Sequence, residues 1–73
     1  MTAVLSADRM CLTPREQQVL ELTAEGYDRA DLAERLGISK HTAMHYQKLI
    51  REKMGARSMA QAVAVGFRTG ALQ

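Results

Sequence analysis

His41, Met44, His45, Lys48 and Glu52 recur at intervals of three and four residues, so a helix through them carries all five on one stripe. Two imidazoles, an ammonium and a thioether suit contact with a polar, anionic surface. They do not suit bond breaking, since no base here is partnered with a nucleophile and no glycine loop cradles phosphate. His41 and His45, four residues apart, could pair on a metal. No third ligand is near, because Glu52 lies about two turns beyond His45. The expectation is therefore no enzyme, no metal and no cofactor. Lys40 and Thr42 fall in the first turn of the same segment, where a helix N-terminus favours phosphate. Lys53 and Arg57 stand at its far end, placed to hold a further phosphate.

The charge pattern agrees. The 73 residues carry a net +2, unevenly divided. Residues 1–38 hold four basic against seven acidic groups, a net −3, while residues 39–73 hold six basic groups against Glu52 alone, a net +5. A polyanion would meet the second half; an unevenly charged solvated surface is the plainer alternative. The single cysteine, Cys11, excludes an internal disulfide and reads as a small apolar residue beside Leu12. Without a membrane-length apolar run or a signal-peptide pattern, the expected location is a reducing cytoplasm, with no membrane partner.

One domain is all this length accommodates. Hydrophobic residues make up 47% and aromatics 4%, so Leu, Val, Ile, Met and Ala must build the core, which favours an all-α fold. Residues 1–11 lack periodicity and read as a flexible lead-in to a domain over 12–73. Thr13-Pro14-Arg15-Glu16 combines a cap, a first-position proline and a capping-box glutamate. It opens a helix predicted over 14–25, with Val19, Leu20, Leu22 and Thr23 inward and Gly26 as its stop. Asp28, with Asp31 three residues on, starts a helix over 29–36, whose apolar face is Ala30, Leu32, Ala33 and Leu36. Ser39 starts another over 40–54, with Ala43, Tyr46, Ile50 and Met54 inward. Ser58 and Gln61 cap a last helix over 58–69, where Met59, Val63 and Phe67 with Ala62 form the core stripe. Ala60, Ala64 and Val65 are then surplus apolar surface, which predicts a homodimer contact.

A short helix, a turn beginning with Gly37 and a longer basic helix describe a helix-turn-helix. Ala33 permits close helix approach, Gly37 supplies the turn, and Ile38 plugs the corner. The third helix then projects its outer face toward a DNA major groove about 12 Å wide.

Leu12-Thr13-Pro14-Arg15-Glu16, Ala24-Glu25-Gly26, Leu32-Ala33-Glu34-Arg35-Leu36-Gly37-Ile38-Ser39, Thr42, Arg57-Ser58 and Ala60-Gln61-Ala62-Val63 together resemble the LuxR/GerE-type helix-turn-helix domain. The resemblance runs from about Leu12 to Leu72. It implies a four-helix domain, recognition by the third helix and dimerisation commonly through the fourth. Where the family usually has Thr-Val-Lys, this chain has Thr42-Ala43-Met44. Thr42 matches and is placed to hold a phosphate, and Lys48 matches a basic position that often reads bases. Met44 departs from the usual lysine and could touch a thymine methyl instead. Tyr46 replaces a frequent histidine.

The function expected from these readings is a stand-alone transcriptional regulator that binds a two-fold site on double-stranded DNA as a homodimer. Its DNA-facing residues are Lys40, His41, Thr42, Met44, His45, Lys48, Lys53 and Arg57, and its dimer face is Ala60, Ala64 and Val65. RNA polymerase or another LuxR-type regulator are further partners to weigh. The alternative is an antagonist, of phage or host, that pairs with a LuxR-type regulator through the fourth helix. A fragment like region four of sigma factors fits less well, because of Arg57-Ser58 and the last helix.

Overall fold

The computed structural model describes residues 12–73, and the lead-in over 1–11, Cys11 included, lies outside them. Helices α1 (Pro14–Ala24), α2 (Arg29–Leu36), α3 (Lys40–Met54) and α4 (Met59–Thr69) follow in order, and they are all the regular structure among the described residues. The fold is all-α, as composition predicts.

Each start is built by a side chain serving otherwise unpaired backbone N–H groups. The Thr13 hydroxyl accepts from the Glu16 N–H at 3.2 Å, and the Glu16 carboxylate accepts from the Thr13 N–H at 2.9 Å. Asp28 and Asp31 exchange the equivalent pair, so Asp31 closes a capping box as well as adding charge. Ser39 accepts from the Thr42 N–H. Ser58 accepts from the Gln61 N–H and precedes α4, while Gln61 reaches back to the Arg57 N–H at 2.7 Å. Between α2 and α3, Gly37 takes φ 67°, a left-handed angle that costs a side-chain-bearing residue energy. That turn lets the Ile38 N–H bond the Ala33 carbonyl at 3.0 Å and leaves Ile38 packed against the core.

Val19, Leu20 and Leu22 from α1 meet Leu32 and Ala33 from α2, Ala43, Ile50 and Met54 from α3, Ala62 from α4, and Leu72 beyond it. α3 contacts the other three helices, so its inner face is fixed from several sides.

Several expected core positions differ. Phe67 is 53% exposed. Ala62 is buried as expected, Gly66 is buried beside it, and Leu72 folds back against Gly66. A Cβ on Gly66 would stand 2.9 Å from a Leu72 methyl, so the small residue makes room for the returning chain. Phe67, the next residue round the helix, is carried outward by that packing. Val65, expected at the surface, is half-buried against the core. Ala30 is exposed, because α2 buries only Leu32 and Ala33. Tyr46 packs against the core as expected though half-buried, and Thr23 is half-buried, its hydroxyl donating to the Val19 carbonyl. Gln47, a polar residue, takes an inward place on α3.

Candidate nucleic-acid interface

α3 has 15 residues and a length of about 22 Å. Its inner row of Ala43, Gln47, Ile50 and Met54 is buried, which commits the opposite side to solvent. His41, His45 and Lys48 are exposed there, Met44 is 40% exposed, and Lys40 is exposed at the first position of the helix. His41, Met44, His45, Lys48 and Arg51 line one open depression of about 350 Å³. Sequence spacing placed Glu52 at the end of this stripe. Glu52 is exposed, but Arg51 is the residue that joins the depression, which makes its end cationic rather than acidic. The signal for Arg51 was present, since it lies three residues beyond Lys48.

Thr42 is half-buried beside the cap. The Ser39 hydroxyl donates to the Thr42 hydroxyl oxygen at 2.9 Å, which leaves the Thr42 proton available to an outside acceptor. Arg57 is exposed just past α3, after the Gly55 turn.

Lys53, expected to hold a phosphate, also has a partner within the fold. Its Nζ donates to Glu16 Oε1 at 2.7 Å, and this is the one ion pair among the described residues. Glu16 is 3% exposed, whereas the Lys53 side chain is 32% exposed. Burial alone would push the Glu16 pKa up. The Lys53 hydrogen bond, the Thr13 backbone N–H, the Lys53 charge and the Thr13 hydroxyl outweigh it and hold the carboxyl below its ordinary 4.5. The pair pins α3 to the start of α1.

A second link was not legible in the pattern. The Arg29 Nε–H donates to Gln47 Oε1 at 3.0 Å, joining the first residue of α2 to the middle of α3. The two ends of the helix-turn-helix are thus held at both the turn and this bond. Among the described residues, no group of three His, Cys, Asp or Glu side chains is placed to hold a metal ion. No helix among them is long and apolar enough to cross a membrane.

On α4, Ala60 and Ala64 are exposed, with half-buried Val63 between them and exposed Phe67 one turn on. These four positions share one stripe at helical spacing. Of the expected dimer residues, Ala60 and Ala64 lie on it, whereas Val65 lies off it and against the core.

Residues 10–65 match the family described as bacterial regulatory proteins, luxR family, and the chain belongs to that family. The domain it forms is the helix-turn-helix domain of that family. The solved structure of the transcription factor GerE superposes with a TM-score of 0.78 at 29% identity, covering 85% of this chain and 92% of that one. The methanol utilization control regulatory protein MoxX of Paracoccus denitrificans is 35% identical over 57 residues, which are 78% of this chain and 26% of that protein. The regulatory protein SdiA of Escherichia coli is 31% identical over 67 residues, 92% of this chain and 28% of its own length. The chain thus spans about a quarter of the length of the curated relatives it matches.

Proposed function

We propose that this domain binds a two-fold site on double-stranded DNA as a homodimer, with the outer face of α3 in the major groove. The observation that carries the reading is the α3 face itself: His41, Met44, His45, Lys48 and Arg51 stand together, Lys40 is exposed at the start of the same helix, and no cation among them has an acidic partner among the described residues. An uncompensated cationic face on a helix held from behind is what phosphate and base contact require. In this reading Lys48 and His45 meet base edges, and Met44 meets an apolar group such as a thymine methyl. Lys40, Thr42 and Arg57 hold the backbone.

The assembly half of the proposal rests on Phe67. A large side chain half out in solvent, in line with exposed Ala60 and Ala64 and with the outer edge of core-packed Val63, gives α4 an apolar stripe that a second copy can cover. Two copies joined there would set their recognition helices about one DNA turn apart, roughly 34 Å. The same stripe would serve pairing with a different LuxR-type regulator, which is the antagonist reading. Titrating a labelled duplex with purified protein at two salt concentrations separates the readings. A regulator binds with affinity that falls steeply as salt rises, because phosphate contacts release counterions. An antagonist that works only through α4 binds no duplex at all.

A further inference from the structure

Gln47 is a polar side chain, 6% exposed, in an otherwise apolar row of α3, and it touches one charged group, the guanidinium of Arg29. Burying an amide is unfavourable unless it is hydrogen-bonded, so the bond explains how Gln47 is tolerated. It does not explain why the site carries an amide and an arginine rather than an apolar side chain.

The geometry of Arg29 supplies a reason. Positions 40, 44, 47 and 51 form one row along α3, at intervals of three and four. Gln47 therefore sits on the flank between Lys40 and Arg51, at the edge of the groove-facing stripe. Arg29, itself exposed, is drawn by its Nε to that same flank. Its two terminal NH₂ groups have no partner among the described residues. The nearest carboxylates in sequence are Asp28 and Asp31, whose oxygens accept from each other's backbone N–H in the capping box. Neither forms an ion pair with Arg29. One nitrogen is thus held from inside while the fork of the guanidinium stays open to a planar, anionic acceptor.

We propose that Arg29 is a phosphate contact delivered by α2, and that Gln47 is the residue that positions it. This rests on the DNA reading above. Lys40, Arg29 and Arg51 then form a single cationic wall along one side of the groove-facing helix. The first helix of a helix-turn-helix crosses the DNA backbone, which is where such a wall would lie. Gln47 aims the guanidinium before DNA arrives, so less side-chain freedom is lost on binding.

The test uses the whole chain and a fluorescein-labelled mixed-sequence duplex, titrated over a series of salt concentrations. Each phosphate contact contributes about 0.9 to the slope of log affinity against log salt. Arg29→Gln should lower that slope by about one contact. Gln47→Met, similar in length and apolar, should lower it by a comparable amount while circular dichroism shows the helices intact. The double variant should lose no more than Arg29→Gln alone. Arg29→Lys, which keeps the charge but loses the Nε–H held by Gln47, should bind with a slope near that of Arg29→Gln, and it decides the positioning role if Gln47→Met does not fold. An unchanged slope in Arg29→Gln overturns the phosphate contact. A wild-type slope in Arg29→Lys or in folded Gln47→Met overturns the positioning role. Absence of salt-dependent binding by the unaltered protein instead removes the DNA reading on which the proposal stands.

Discussion

Lys48 and Lys53 are five residues apart on one helix, yet their surroundings assign them different work. Lys48 is exposed on the outer stripe of α3, whereas Lys53 is tied to the buried Glu16. Lys48→Ala should leave the melting temperature nearly unchanged and weaken a preferred duplex more than a mixed one, by about 1–3 kcal/mol of discrimination. Lys53→Met should instead cost about 1–3 kcal/mol of folding stability, because it strands a buried carboxylate whose charged hydrogen bond is lost. Denaturant melts and duplex titrations on the two variants check the assignment; matching losses in both assays would contradict it. The pair also sets an acid response. The Glu16 pKa is held below its ordinary 4.5, so the stability it contributes is fully present above that value and fades as pH falls through the lower folded value. Glu16→Gln retains an oxygen for the Thr13 N–H but is neutral at every pH, so it has no charge to titrate. Melting curves at a series of pH values should show wild type and Glu16→Gln converging as the solution is acidified; a gap constant with pH would place the stabilisation elsewhere.

Helix starts and stops are the part of this molecule written most legibly in the chain. Thr13, Asp28, Ser39 and Ser58 act within three or four residues of themselves, so local spacing is enough to find them. The turn belongs to the same class. Gly37→Val should cost more than about 1 kcal/mol in a chemical melt, because a β-branched residue resists the left-handed φ of 67°. A loss no larger than that of a typical exposed-site substitution would contradict the importance of this turn. Orientation within the last helix is less legible. Met59, Val63 and Ala62 pack inward as the spacing predicts, but spacing alone does not separate Phe67, which is exposed, from Gly66, which is buried. What decides between them is Leu72 folding back beside Gly66, a contact no local window reveals. Gln47 was missed for a related reason. An amide looks out of place in a core row until Arg29, 18 residues earlier, is seen against it. Arg51 was displaced by Glu52 because both lie near the edge of the same stripe.

At the scale of the whole domain, two faces stand apart: the cationic side of α3 and the apolar stripe of α4. Phe67→Glu should leave helicity near wild type, because that side chain is largely outside the core. It should turn a dimer into a monomer in sedimentation and weaken a palindromic duplex far more than a half-site. A folded Phe67→Glu protein that remains dimeric would move the interface elsewhere. Val65→Glu answers another question, since Val65 packs against the core and a charge there tests folding. The charge division along the chain points to residues 39–73 as the half that would face a polyanion, although the pairing of Lys53 with Glu16 and the link from Arg29 to α3 blur that boundary. The central claim is that the outer face of α3 meets duplex DNA, and amide chemical-shift mapping tests it most directly. Isotope-labelled protein titrated with a short duplex should show its largest shifts over residues 40–51 and at Arg29, with Ala60, Ala64 and Phe67 far less affected. Shifts concentrated on α4, or none at saturating duplex, would contradict the account.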